Sequence, residues 1–488
     1  MPKDFFSIDR VTSLGKIKSG GNIHVIGVAG VAMAQLAILL TKKGYKVSGS
    51  DKEFYEPMGS LLSSSSVKIY KGYKAENVSL DVDLVVIGNA VSYEHPEVSV
   101  VEERSLAYTC FPALLYESII ERHHSIVVAG THGKSTTTAM IAATLLKLNT
   151  DPSYFVGGIA QDLPESLNEG RGKFSVVEGD EYDSAFFAKV PKFKFYKPDT
   201  AIINAIEFDH GDIYSDIHAI KKEFDNLARS LPKDGNLICC LDFKEVRNLV
   251  AVWKKELSCK VITFGTDQEA DYKIINRKQK GKIQHITLDS KNGSFDIDIS
   301  LIGEYNARNA LACYIALLLQ GFDSKLITES LKSFKSVKRR QEILFASEEI
   351  TLIEDFAHHP TAVLQTLQAV SESYPDKEIW AVFEPRSATS RRQIFQADYI
   401  QALSKSKRAL ILNVQSKRVV DQGHELMDVT QICKKLTILG TKAESFLNID
   451  DIFNILISSA KENRVIVVMS NGGFGGLLDK LKAYFKST

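Results

Sequence analysis

The sequence predicts an α/β protein with an N-terminal Rossmann-like domain, a central P-loop ATPase domain and a C-terminal Rossmann-like domain. Three observations predict it. Short apolar runs alternate with helical patterns along nearly all 488 residues, which favours parallel sheets covered by helices. Two glycine-containing turns, at 27–33 and 130–135, each stand between a strand pattern and a helix pattern. A new strand–helix series starts at Ser125, and a polar, basic stretch at Ser333–Arg340 reads as a hinge. The expected domains are therefore 1–122, 123–337 and 338–488.

Each element follows from its pattern. Residues 21–28 read as a strand, 32–43 as a helix, and 46–49 and 83–87 as further strands. Residues 125–129 form a strand that passes through the second glycine turn into a helix from Lys134 to about Leu148. Strands are expected at 174–177, 200–204 and 236–239, and antiparallel strands over 271–300, where polar and apolar residues alternate. A helix is expected over 307–320, then strands at 351–354, 379–383, 409–412 and 465–469.

Composition narrows the function. Lys plus Arg equals Asp plus Glu at 60 each, so no global charge recruits nucleic acid or an anionic membrane. No apolar run approaches the roughly 20 residues of a membrane span, and MPKDFFSIDR lacks the pattern of a signal peptide. The six cysteines form no CxxC pair and read as buried reduced thiols. The expected setting is the cytoplasm, for a monomer or weak oligomer.

The chemistry concentrates in four places. Gly130-Thr131-His132-Gly133-Lys134-Ser135, followed by Thr136, resembles a Walker A loop in strand-to-helix context. Backbone N–H groups there can cradle phosphates, Lys134 can reach the β and γ phosphates, and Ser135 can bind Mg²⁺. It departs from the full motif at Val128, where the first glycine belongs. Glu178-Gly179-Asp180-Glu181-Tyr182-Asp183 and Glu207-Phe208-Asp209-His210 each follow a strand, where Mg²⁺ ligands belong in this sheet type. Gly27, Ala29, Gly30 and, after the next strand, Asp51 resemble a dinucleotide fingerprint lacking two of its glycines. A dinucleotide site, a nucleotide-diphosphate site and plain helix–strand packing all remain open there.

Taken together, these residues resemble the Mur ligase family. GVAGVAM at 27–33, SGSD at 48–51, GTHGKST at 130–136, EGDEYD at 178–183 and NAIEFDH at 204–210 stand in family order. GEYNARNALA at 303–312, VKRRQE at 337–342 and EDFAHHPTA at 354–362 continue it. The resemblance implies an ATP- and Mg²⁺-dependent ligase that forms an amide bond through an acyl phosphate. It implies Ser135, Glu178 and His210 as metal ligands, and Lys134, His210 and Arg340 as catalytic. Asn306, Asn309, Arg340 and Asp355 join the loop as ATP contacts. Gly27, Ala29, Gly30, Asp51 and Asn89 are implied as contacts of UDP-N-acetylmuramate.

Two kinds of member compete, adding either L-alanine or a murein tripeptide to that sugar nucleotide. SDKEFYEPMGSLL at 50–62, the long segment 181–202, FEPRS at 383–387 and SNGGFGG at 470–476 look more like the tripeptide type, with Arg386, Ser387 and Asn471 at the peptide. No chemistry is assigned to His358 or His359, and no carbamylation to Lys221 or Lys222. Two other classes stay open: a nucleotide-binding regulator without catalysis, and a dehydrogenase resting only on the turn at 27–33.

Overall fold

The computed structural model describes residues 5–281, 283–387, 389–413, 423–458 and 463–487. By internal contacts the chain divides into two compact units. The first comprises Met1–Ile206, His218–Thr263 and Ala312–Leu326; the second comprises Glu207–Ile217, Phe264–Leu311 and Ile327–Thr488.

In the first unit, β1 (Asn22–Ile26), β2 (Lys46–Asp51), β3 (Lys68–Lys71), β4 (Leu84–Ile87) and β5 (Tyr108–Cys110) form a parallel sheet in the order β3-β2-β1-β4-β5. The strand expected over 21–28 ends at Ile26 because Gly27 turns the chain with φ 81°. The helix Val31–Lys42 starts beyond that turn and buries Leu36 and Leu40. Sheet order reverses between β1 and β4, and ligands of such sheets bind at the carboxyl ends of strands beside the reversal. The turn at 27–30 therefore stands where a ligand belongs.

The same unit holds β6 (His124–Ala129), β7 (Ser153–Phe155), β8 (Leu167–Asn168), β9 (Phe174–Gly179), β12 (Thr200–Ile203) and β13 (Asn236–Cys240). They run in the order β13-β12-β6-β9-β7-β8, parallel except for β8. Between β9 and β12 lies a short hairpin, β10 (Asp183–Ala185) and β11 (Ala188–Pro191). β6, β9 and β12 are almost wholly buried, which explains why they read as unbroken apolar runs. Both candidate phosphate and acidic motifs begin where these strands end.

β14 (Lys260–Gly265) leads into the second unit, where β15 (Tyr272–Lys280), β16 (Ile283–Ser290) and β17 (Gly293–Ile299) form the antiparallel series expected over 271–300. A further sheet follows with the order β18-β19-β23-β20-β21-β22. Its strands are β18 (Glu342–Ala346), β19 (Ile350–Asp355), β20 (Glu378–Phe383), β21 (Arg408–Leu412), β22 (Lys442–Phe446) and β23 (Arg464–Met469). All pair in parallel except β18 with β19. Apolar clusters cover both faces: Val363, Leu367, Tyr399 and Leu403 on one, Ile452, Leu456, Leu477 and Leu481 on the other. All six cysteines are buried, and burial pushes the Cys110 thiol up to about 12. Among the described residues no helix is long and apolar enough to cross a membrane.

Candidate active site

The phosphate loop sits between β6 and the helix Lys134–Lys147. Gly130 and Gly133 take φ of 126° and 83°, conformations that favour glycine. At Gly130 a Cβ would lie 2.8 Å from the Ala205 nitrogen, so the loop is pressed against the end of β12. Thr131 N–H donates to the Ala205 carbonyl at 2.9 Å, so that N–H is already spent on holding the loop. Thr136 is buried in the helix's first turn.

Lys134 donates to the Gly130 carbonyl at 2.8 Å and to both Glu181 oxygens at 2.8 and 3.0 Å. Burial opposes its charge, but Glu181 and Asp180 outweigh burial and hold the ammonium above its usual value. The Ser135 hydroxyl donates to Glu178 at 3.0 Å, and Gly157 N–H donates to the other Glu178 oxygen at 2.6 Å. Burial, then the neighbouring Asp180 charge, pushes Glu178 up to about 7. Expected ligands Ser135 and Glu178 are thus in direct contact. The sequence reading missed Glu181 as the partner of Lys134, although it quoted the motif that contains it.

In the second unit, His210 takes φ 51° and its N–H donates to Asp209 at 2.7 Å. Asp209 is buried, yet the imidazoles of His210, His358 and His359 hold its carboxyl well below the usual range. His359 caps the helix Pro360–Ser373 and its ring stands 3.2 Å from the Phe208 carbonyl. The Thr361 hydroxyl donates to Glu207 at 2.9 Å. The two histidines given no role therefore brace the segment that carries His210.

Asn306 and Asn309 share one helix face, and the Asn309 amide donates to the Asn306 oxygen at 3.3 Å. Asn306 also donates to the Ile302 carbonyl at 2.8 Å. The Asp355 carboxylate accepts from the N–H groups of Gln341 and Ala357, at 2.8 and 2.7 Å, and burial pushes it up. Arg340 lies over the Phe356 ring at 4.7 Å. Arg339, which the sequence reading did not single out, lies over the same ring and donates to Glu354 at 2.7 Å and to the Ser470 carbonyl at 3.1 Å. The only signal for it was its place beside Arg340.

Arg386 follows β20 and Asn471 follows β23, neighbours in the sheet. A Cβ at Gly472 would fall onto the Arg386 guanidinium, so that glycine makes room for the side chain. The Asn471 side-chain oxygen is buried and has no hydrogen-bond partner among the described residues. The Ser387 hydroxyl accepts from Ser390 N–H at 3.0 Å. In the N-terminal sheet, Asp51 accepts from Ala29 N–H at 2.9 Å and from the Tyr73 hydroxyl at 3.0 Å. The glycine turn and the strand-end acid are thus joined, with Asn89 exposed just after β4. Lys221 forms an ion pair with Glu245 at 2.6 Å.

Comparison with known proteins gives the family. Residues 22–122 match the Mur ligase family catalytic domain, 128–317 the Mur ligase middle domain, and 339–472 the Mur ligase glutamate ligase domain. The UDP-N-acetylmuramate–L-alanyl-γ-D-glutamyl-meso-2,6-diaminoheptandioate ligase of Escherichia coli K12 is 32% identical over 94% of this chain and 97% of its own. The UDP-N-acetylmuramate–L-alanine ligase of Clostridium tetani is 30% identical over 92% and 95%. A murein peptide ligase structure from Psychrobacter arcticus aligns with TM-score 0.72 at 30% identity, covering 96% of this chain and 99% of that one. The chain belongs to the Mur ligase family, whose members are ATP-dependent enzymes that form amide bonds.

Proposed function

We propose that this chain joins UDP-N-acetylmuramate to L-alanyl-γ-D-glutamyl-meso-diaminopimelate in the cytoplasm, using ATP and Mg²⁺, as a step of peptidoglycan recycling. In this reading residues 1–122 bind the sugar nucleotide, 123–337 the ATP and 338–488 the peptide. The observation that carries the chemistry is the contact of Ser135 with Glu178 beside the Lys134–Glu181 pair, at the carboxyl ends of parallel strands. For the amine donor, the support is the Arg386–Gly472 arrangement together with 32% identity to the E. coli tripeptide ligase.

The residues present suit the groups the family uses. Ser135 and Glu178 offer two hard oxygen donors side by side, with the Glu178 carboxyl buried and pushed up to about 7 by burial and by the Asp180 charge. With His210 they form the proposed Mg²⁺ ligands. When bound, the ion offsets charge on the transferring phosphoryl group.

Lys134 exchanges Glu181 for the β and γ phosphates. The lactyl carboxylate of the sugar attacks the γ-phosphorus, the bond to ADP breaks, and an acyl phosphate forms. Arg386 grips a peptide carboxylate with two parallel hydrogen bonds. This orients the peptide's free L-alanyl amine toward the acyl carbon. The C–N bond forms, the amine loses a proton, and phosphate leaves. Water must stay out while the acyl phosphate exists.

The test is phosphate release with the product identified by mass. Release that needs ATP, the sugar nucleotide and the tripeptide together supports the proposal. No amide product, or binding of a nicotinamide cofactor in place of the sugar nucleotide, rejects it.

A further inference from the structure

The acidic motif after β9 has a second lysine beneath it that the reaction described above does not use. Lys192 stands just after β11 and is almost completely buried. Its ammonium donates to Asp180 at 2.9 Å and to the Tyr182 hydroxyl at 3.0 Å. It also lies over the Tyr182 ring at 4.3 Å and the Phe111 ring at 5.6 Å. Its own N–H donates to the Asp180 carbonyl at 3.0 Å. The β10–β11 hairpin brings it there, because it turns the chain back after the acidic motif. That hairpin lies in the long segment noted above as a mark of the tripeptide type.

The charges decide what it does. Glu178, Asp180 and Glu181 are all buried and stand against two ammoniums, Lys134 and Lys192. Asp180 approaches both: one oxygen is 2.9 Å from Lys192 and the other 4.0 Å from Lys134. A buried lysine is costly unless paired, so Lys192 and Asp180 hold each other in place. With Lys192 removed, the Asp180 charge would turn to the nearest cation, Lys134. The phosphate-loop lysine would then be gripped at hydrogen-bond distance by two carboxylates in place of one.

We propose that Lys192 is a positioning residue for phosphoryl transfer: by holding Asp180 at 2.9 Å it keeps that carboxylate back at 4.0 Å from Lys134, whose hydrogen bonds go to Glu181 and the Gly130 carbonyl, from which a nucleotide phosphate can draw it. This rests on the reading of Lys134 as the phosphate-binding lysine. A lysine that served only as a staple of the fold would change the melting temperature and leave nucleotide affinity alone.

The experiment compares Lys192→Met with the double variant Asp180→Asn/Lys192→Met. The affinity of a non-hydrolysable ATP analogue with Mg²⁺ is measured by calorimetry, beside the affinity for UDP-N-acetylmuramate and the kcat of the full reaction. Lys192→Met should weaken the ATP analogue by roughly 10-fold or more, since an added charge beside a ligand-binding cation acts at that scale. It should lower kcat and leave the sugar nucleotide unaffected. The double variant removes both members of the Lys192–Asp180 pair and should return the analogue affinity to within about threefold of the parent.

A folded Lys192→Met that binds the analogue normally would overturn the proposal. So would a double variant that is folded and still binds weakly, or one that does not fold at all. If Lys192→Met alone fails to fold, Lys192→Gln is measured in its place: analogue binding weakened in that variant and restored by adding Asp180→Asn supports the proposal, and unchanged binding overturns it. Lys134→Ala is measured alongside: normal analogue binding by that variant would remove the phosphate-loop reading itself, whatever Lys192 does.

Discussion

Lys134 directs its ammonium to three oxygens within the chain: one carbonyl and the two of Glu181. Replacing the lysine therefore removes both a phosphate contact and the counter-charge of a buried acid. Lys134→Ala is expected to lower kcat by on the order of 100-fold or more, the usual scale for a group that stabilises transition-state charge. A purified, folded variant that keeps a tenth of parental turnover would contradict the role. Glu178 sets a second expectation. Its carboxyl is raised to about 7 by burial and by Asp180, and it already meets the Ser135 hydroxyl. Glu178→Gln keeps the shape and loses a charged ligand, so the Mg²⁺ concentration for half-maximal rate should rise severalfold. Unchanged Mg²⁺ dependence would take Glu178 out of the ligand set.

At the scale of elements, the strand-to-turn-to-helix unit from β6 through Lys147 works because Gly130 fits against the end of β12. Gly130→Ala puts a Cβ 2.8 Å from a backbone nitrogen at φ 126°. The expected cost is about 1–3 kcal/mol for overpacking alone, read from thermal unfolding, with weaker ATP binding.

The N-terminal sheet has its own knot. Glu97 is fully buried and accepts from Ser50 at 2.5 Å and Asn77 at 2.7 Å, with His24 at 3.4 Å. Burial opposes its charge, yet these partners hold its carboxyl below the ordinary 4.5. Its contribution to stability is therefore present above 4.5 and lost as pH falls through the lower folded value. Glu97→Ala should cost about 1–3 kcal/mol at neutral pH for the buried donors left unsatisfied, and the gap between variant and parent should narrow in acid.

These two units differ in legibility. GTHGKST could be read because its chemistry needs contiguous residues. The Glu97 knot could not, because Ser50, Asn77 and Glu97 meet only once three elements have folded. β3 and β5 went unread because KIYK and YTC are too short to show a period. Lys192 was illegible for another reason: its partner Asp180 is reached only through the β10–β11 turn.

Over the whole molecule, the choice of amine donor depends on residues far apart in sequence. Arg386 and Gly472 belong to different strand ends and meet because β20 and β23 are neighbours. Sequence alone placed each at a strand end; only the fold shows that the glycine leaves room for the arginine. The turn after β23 is fixed from three sides: Ser470 donates to Glu384 at 2.5 Å, Gly472 N–H donates to Ser470 at 2.9 Å, and Arg339 holds the Ser470 carbonyl. A pre-set turn of this kind, with an exposed arginine beside it and a buried Asn471 oxygen unpartnered, suits a ligand carrying several carboxylates and amides. Free L-alanine has one carboxylate and nothing to reach a second contact. The ratio of kcat/KM for tripeptide over L-alanine should therefore exceed roughly 100, the equivalent of about 2.7 kcal/mol of added transition-state binding. Arg386→Ala should lower kcat/KM for the tripeptide by roughly 10-fold or more, as expected for a lost charged hydrogen bond. It should change the value for L-alanine much less. If L-alanine proves the better substrate, the peptide assignment is wrong and the chain is an alanine-adding member of the same family. If the tripeptide is preferred but Arg386→Ala leaves both constants unchanged, the peptide is held elsewhere on the carboxyl ends of this sheet.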